Sequence, residues 1–403
     1  MLHGRINRAP ASGAAILLTG VLALVPAVAA GQQSRAEENA QRQAEKNTRL
    51  APNTPTFGER ALTWFESHFT DPDTAYLTFG GIYPTAGFAP GIAARAAIGH
   101  ARLKGGGAYS IRGYKLGHAS LSFPALADDH FEVGVATRWV DATQVPFYGI
   151  GNGSIKDDRV NYGLRSLQFG GSAAFKPASW FKVGAGLAWR RVEDREGLGT
   201  RPSIETRHAS PTAPGLFTEI RYTDATVFAA VDWRESSGYT RRGGLYSVAV
   251  NDFRDRDEQF SFRQLEVDLR QSIPLLKEHW VIGLRGLVQT TMTEEGQRIP
   301  YHLLPSLGGA HTLRGYPDFR FQDRHLMLVT AEYRWIPSRI IDMALFVDAG
   351  KVAPDRGDLD FTGLTRTFGI GIRFHGPTFT PLRLDVARGE EGIRVHITGS
   401  VGF

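Results

Sequence analysis

The feature that most constrains this chain is a period-two alternation that returns from about Tyr76 onward. Ile393, Val395, Ile397, Val401 and Phe403 share one face, and Arg394, His396, Thr398, Ser400 and Gly402 share the other. Phe368, Ile370, Ile372 and Phe374 alternate with Gly369, Gly371, Arg373 and His375, and Leu382, Leu384 and Val386 alternate with Arg383 and Asp385. Phe181 to Arg190 follows the same rule. Such spacing belongs to strands with one apolar and one polar side. A soluble sandwich alternates too, with its polar side in bulk water. Here Arg, Asp and His recur at mid-strand beside Gly, and aromatics sit at the ends of the opposite face. That fits a polar lumen inside a lipid-facing wall with aromatic girdles. The fold class read from it is all-β, a transmembrane antiparallel β-barrel.

Composition supports the same class. The 403 residues include 46 Gly, 24 Phe, 12 Tyr and 7 Trp, a mixture suited to a wall that alternates between lipid and lumen. There is no Cys, which excludes thiolate metal sites, cysteine nucleophiles and disulfides. The formal charge of +5 is small for this length and partly N-terminal, so no nucleic-acid partner is expected.

Residues 1–30 read as a signal peptide. Arg5 and Arg8 give a basic start, Ala14–Val25 is apolar, and Ala27-Val28-Ala29 offers small residues for cleavage. The apolar run is too short for a bilayer span and Pro26 interrupts it. Residues 31–73 read as a polar, flexible periplasmic lead-in. They contain one short amphipathic helix, because Phe57, Ala61, Leu62, Phe65 and Phe69 share a helical face. That helix packs on the barrel rim or plugs its mouth. Residues 74–403 are the barrel.

Connections alternate in length. Short turns are expected at Lys176–Ser179, Pro274–Glu278, Pro337–Arg339 and Gly376–Thr378, on the periplasmic side. Longer, extracellular ones are expected at Asp141–Arg159, Glu193–Pro214, Thr290–Asp323 and Lys351–Gly363. About fourteen strands can be placed against an even-number expectation. A further pair would come from Thr74–Pro90 or from splitting Pro214–Arg234.

One connection stands apart. Leu304–Phe321 is rich in Gly and Pro, yet it carries three aromatics and two arginines. So long a connection is usually functional or disordered, and its apolar content argues for a loop that packs back into the barrel. Leu313-Arg314-Gly315-Tyr316 lies within it, followed by Ala331–Trp335 (AEYRW) and Phe346–Gly350 (FVDAG). In order and spacing these three motifs resemble the BamA/TamA family of outer-membrane barrels, the bacterial surface antigens. The tripeptide alone is uninformative: Ile111-Arg112-Gly113-Tyr114 repeats it and reads as plain strand.

The resemblance implies sixteen strands, a bacterial outer-membrane location, and a loop tip whose arginine meets carboxylates on the two following strands inside the barrel. Strand parity turns Glu332 and Asp348 inward, because the faces opposite them are hydrophobic. Two inward carboxylates on neighbouring strands suit a guanidinium fork. Arg314, Gly315, Tyr316, Glu332 and Asp348 are therefore the expected loop anchor. Phe403 resembles the terminal aromatic by which outer-membrane barrels are recognised for insertion. Members of the family insert or translocate polypeptides, and some act with lipids. The partners implied are outer-membrane lipids, the barrel assembly machinery during insertion, and client polypeptides. The segment before the barrel is too short and too polar to hold a periplasmic POTRA domain, so a form lacking POTRA domains is expected.

Catalytic signatures are missing: there is no Gly-x-Ser-x-Gly elbow, His-Glu-x-x-His or Walker loop. Gly149–Gly153 is glycine-rich but falls in an expected loop rather than opening a helix. No enzyme activity, cofactor or metal is expected. The rival readings are an outer-membrane lipid hydrolase, which would draw on Ser306 with His302, His311 or His325, and a passive pore.

Overall fold

The structure, a computed structural model, describes residues 75–399 apart from 210, 211, 276–278 and 377. The signal peptide, the lead-in with its helix and Phe403 lie outside the described residues. In chain order the strands are β1 (Ala75–Phe79), β2 (Pro90–Ile98), β3 (Ala101–Tyr109), β4 (Lys115–Leu126), β5 (Phe131–Phe147) and β6 (Val160–Ala178). They continue with β7 (Phe181–Glu196), β8 (Ile220–Asp232), β9 (Gly243–Asp255), β10 (Phe262–Leu275), β11 (Trp280–Met292) and the two-residue β12 (Ser306–Leu307). The last are the two-residue β13 (Phe321–Gln322), β14 (His325–Trp335), β15 (Ile341–Ala353), β16 (Thr365–Phe374), β17 (Leu382–Gly389) and β18 (Gly392–Thr398).

Sixteen of these form one antiparallel sheet in sequence order, while β12 and β13 pair only with each other. The segment before Pro90 supplies β1, and Pro214–Arg234 is not split, since Ile220–Asp232 is a single strand. The sheet curls on itself. Lys156, between β5 and β6, donates to the Glu391 carbonyl in the β17–β18 turn at 3.0 Å. Ser236, between β8 and β9, donates to the Thr378 carbonyl between β16 and β17 at 2.9 Å. Only a strongly curved sheet brings such distant connections together.

Parity decides which side chains face out. In β15, Met343, Leu345 and Val347 are exposed while Asp342, Ala344, Phe346 and Asp348 are buried, and β14 alternates likewise from Val329 to Trp335. The exposed hydrophobic set includes Leu345, Phe368, Ile370, Val395 and Ile397, which is where a lipid wall needs them. At the short-turn end Trp280 stacks with Tyr333 and Trp335, ring centroids 5.4 and 5.7 Å apart, as a girdle would.

The sequence reading needs two corrections. Ile111–Tyr114 is a turn between β3 and β4 rather than strand: Gly113 has φ 79°, and the Gly113 N–H bonds the Ser110 carbonyl. Four strands also outrun the expected loop starts, ending at Phe147, Glu196, Met292 and Ala353. The upper part of β5 is buried on both faces, so alternation vanishes there although the ladder continues. Val145, Phe147 and Tyr162 instead join Ile82, Tyr114 and Tyr301 in a core beneath the long loops.

Two sheet edges remain. Among the described residues β1 pairs only with β2, over five residues, and β18 pairs only with β17. No helix among the described residues is long and apolar enough to cross a membrane.

Candidate functional site: the inward loop and the seam strands

The connection between β11 and β14 folds into the lumen. Pairing of β12 with β13 closes its neck, and beyond it Leu307, Leu313, Tyr316 and Phe321 pack on Leu326, Leu328 and Val352 from the wall. These loop residues are buried, so the segment has an apolar core of its own and no need of disorder.

Arg314 sits at the tip and is 2% exposed. Its Nε donates to Asp348 Oδ2 at 2.9 Å, its Nη2 to Oδ1 at 2.7 Å, and its backbone N–H to Oδ2 at 3.2 Å. Nη1 donates to Glu332 Oε2 at 3.1 Å and lies 3.7 Å from Asp385 Oδ2. The guanidinium also lies over the Phe346 ring, 3.3 Å from its centroid. Asp348 is completed by the hydroxyls of Thr330 at 3.1 Å and Thr367 at 2.9 Å. The fork-on-carboxylate geometry is the strong, oriented kind of charge-assisted bond.

Around this pair the charges balance. Glu332 also meets Arg373 at 2.7 Å, and Asp385 meets Arg383 at 2.6 Å. Arg334 lies 3.9 Å from Glu332 and 3.8 Å from Asp342. Four guanidiniums therefore face four carboxylates, which is what an enclosed ionic cluster needs if no charge is to be left unpaired.

The tip also reaches the end of the sheet. The Arg314 carbonyl accepts from His396 Nε2 of β18 at 2.7 Å. The Tyr316 hydroxyl accepts from the Glu390 backbone N–H, just after β17, at 3.2 Å. Gly315 lies against the end of β17, where a Cβ on it would come within 2.5 Å of the Gly389 nitrogen. Arg320, the loop's second arginine, is buried as well. It donates to Glu391 Oε1 at 2.7 Å and to the Ser154 carbonyl at 2.6 Å, and lies over Phe321 at 4.5 Å.

The structure thus brings Arg314, Gly315, Tyr316, Glu332 and Asp348 together. Sequence reasoning missed Asp385, Arg373, His396 and Arg320. The first three occupy polar positions of period-two strands, but only the strand order shows that they converge. Arg320 had a usable signal as the second arginine of an aromatic-rich loop.

At the short-turn end the β8–β9 connection leans across the mouth. Tyr239 stacks on His375, centroids 3.9 Å apart, and its hydroxyl donates to Asp342 Oδ2 at 3.3 Å. Thr380 Oγ1 donates to the Gly238 carbonyl at 3.2 Å, and Arg334 Nη2 donates to the Thr240 carbonyl. At the opposite end Tyr301 donates to Asp194 at 2.9 Å, with edge contacts to Phe147 and Tyr162. Burial raises the Tyr301 hydroxyl pKa far above its ordinary value. Burial, aided by Arg190, lowers that of neighbouring His302 to about 3.

Among the described residues both ring nitrogens of His302 and the Nδ1 of His325 are buried without a hydrogen-bond partner, and Ser306 pairs with Gln322 in the neck of the loop. Gly149–Gly153 lies in the β5–β6 loop, where the Gly151 N–H donates to the Gln322 carbonyl at 2.8 Å, bracing the neck of the inward loop.

Comparison with known proteins bears on this geometry. Residues 222–395 match the Omp85 superfamily domain. No curated protein matches by sequence. Among solved structures, BamA from Haemophilus ducreyi lacking POTRA domains 1–3 is similar with a TM-score of 0.60 and 15% identity, over 82% of this chain and 70% of that one. CdiB from Escherichia coli gives 0.53 and 11%, over 80% of this chain and 61% of that one. CdiB from Acinetobacter baumannii gives 0.50 and 12%, over 77% and 56%. At these identities the likeness is one of fold, and this chain spans less than two thirds of either CdiB.

Proposed function

We propose that this chain, whose residues 222–395 match the Omp85 superfamily domain, is an outer-membrane β-barrel that inserts or translocates polypeptides through the seam between β1 and β18. One observation carries the reading: the inward loop is bonded both to the barrel wall and to the strand that borders the seam. Arg314 engages Asp348 and Glu332 through its side chain and His396 of β18 through its carbonyl.

The physics of the seam follows from its edges. A strand edge that faces lipid leaves backbone N–H and C=O groups without partners, at several kcal/mol each. Among the described residues β1 covers five residues and β18 seven, so a ladder joining them there has fewer bonds to give up than the longer ladders elsewhere in the sheet. An open edge is a template for another strand. An incoming strand would pair with β18, whose lumenal side the loop tip holds in place through His396 and whose partner β17 it holds through Gly389 and Glu390. The loop anchor is thus a positioning device: it keeps one side of the seam fixed while the other gives way. Outer-membrane lipids, assembly machinery and client polypeptides are the partners this role requires.

The absence of Cys makes the test clean. Cysteines placed singly along β1 and β18 are paired and oxidised in the folded barrel, which is then reconstituted in liposomes and offered an unfolded outer-membrane barrel as client. Locking the seam should stop client insertion, and reduction should restore it. Undiminished insertion with the seam locked would rule the reading out, and ion conductance with no client dependence would favour a passive pore.

A further inference from the structure

Between the tip of the inward loop and the β8–β9 connection lies a cavity of about 260 Å³. Its lining holds five arginines, Arg234, Arg270, Arg285, Arg314 and Arg383, against one carboxylate, Asp348. Three of the five have a carboxylate of their own. Arg314 takes Asp348, Arg383 meets Asp385 through Nε at 2.6 Å, and Arg234 grips Asp232 through Nε at 2.9 Å and Nη2 at 2.7 Å.

The imbalance lies at Asp268. Arg285 donates to both its oxygens, at 3.0 and 2.9 Å, and Arg270 donates to Oδ2 through Nε at 3.1 Å and Nη2 at 2.6 Å. Two guanidiniums share one carboxylate. Arg285 spends its remaining amino group on the His311 carbonyl at 2.8 Å, so it is fixed in place. Its side chain is 9% exposed and that of Arg270 31%, so the surplus charge faces the cavity from a preset position. Thr312 from the loop and Ser237 from the β8–β9 connection add hydroxyls to the same lining.

We propose that this chamber binds one small oxyanion, of phosphate or phosphomonoester size, between Arg270, Arg285, Arg234 and Arg383. An anion there would neutralise the extra guanidinium and bridge elements that the barrel otherwise holds separately: the wall strands β10, β11 and β17, and the β8–β9 connection. Guanidinium groups suit this ligand because they offer planar pairs of N–H donors to oxygens. The chamber's volume suits a free phosphate or a phosphomonoester. The site is independent of the seam reading, since it concerns charge inside the lumen and not strand exchange.

The test uses the full barrel folded in detergent, titrated with inorganic phosphate at constant ionic strength set by chloride, and followed by calorimetry and thermal melting. Saturable binding of one phosphate per barrel with a rise in melting temperature is expected. Arg270→Gln should weaken it by about tenfold or more, whereas Asp268→Asn, which removes the competing carboxylate, should strengthen it. Opposite signs for two neighbouring changes cannot come from general loss of folding. Arg190→Gln, paired with Asp224 elsewhere in the lumen, should leave binding unchanged. A soluble short-chain phosphatidic acid forms the second arm. Stabilisation by the lipid and not by phosphate would place the site outside the chamber and overturn the proposal. So would no saturable phosphate binding, or equal affinity in the wild type and Arg270→Gln.

Discussion

Gly315 and Gly389 lie back to back where the inward loop meets the end of β17. A Cβ on Gly315 would come within 2.5 Å of the Gly389 nitrogen, and a Cβ on Gly389 within 2.7 Å of the Tyr316 ring. The glycine of the Arg-Gly-Tyr tip is there because backbone passes against backbone, not because a turn demands it. Gly389→Ala should therefore push Tyr316 away and lower stability by about 1–3 kcal/mol, the usual cost of overpacking. Denaturant unfolding of the detergent-folded barrel reads this, and a change below a few tenths of a kcal/mol would mean that the contact yields freely.

The second arginine of the loop gives an independent handle. Arg320 ties the loop to Glu391 beside β18 and to Ser154 in the β5–β6 loop. Removing one member of a buried pair leaves the other unpaired, at about 3–5 kcal/mol when both are dry. Glu391 keeps some contact with solvent, so Arg320→Ala should cost the lower end of that range or less. Limited proteolysis should then cut near Asp318–Arg320 while the strands persist. An unchanged digestion pattern would show that the other anchors hold the loop without Arg320.

Acid should loosen the loop core through His302. Its folded pKa of about 3 lies below the ordinary value near 6.5, and burial is the main cause. Above pH ~6.5 the ring is neutral in both folded and unfolded states, so the full stability is present. As pH falls through that value the unfolded state takes up the proton first, and stability is lost progressively until pH approaches 3. Between pH 7.5 and 4.5 the loss amounts to about 3 kcal/mol from this group, at ~1.4 kcal/mol per pH unit. Melting curves at the two pH values should show a smaller acid shift in His302→Leu than in the wild type. Equal shifts would remove His302 from the account.

Much of this was legible because a barrel wall writes parity directly into sequence. Glu332 and Asp348 could be turned inward from their hydrophobic neighbours alone, with no knowledge of their partners. Parity fails where both faces are covered, as in upper β5, and there Asp141–Phe147 reads as loop although the ladder continues. The Ile111–Tyr114 turn reads as strand because its apolar ends imitate one, whereas Gly113 adopts a positive φ. Asp385, Arg373 and His396 were visible as lumenal residues but not as one cluster, since β14 to β18 converge on the loop only after the sheet curls. The β8–β9 connection gave no periodic signal, and its reach to His375 and Thr380 is purely a matter of tertiary structure.

Whether the loop anchor serves the seam is tested most directly by Arg314→Ala. The variant is reconstituted beside the wild type in liposomes, and client-barrel insertion is scored together with external protease attack at Tyr316. The strands keep their own hydrogen-bond ladders, so the variant should still fold and show the altered gel mobility of an unboiled barrel. Asp348 and Glu332 lose their fork, the tip should leave β17 and His396, Tyr316 should become cleavable, and client insertion should fall. A folded Arg314→Ala barrel that protects Tyr316 and inserts clients at the wild-type rate would contradict the account.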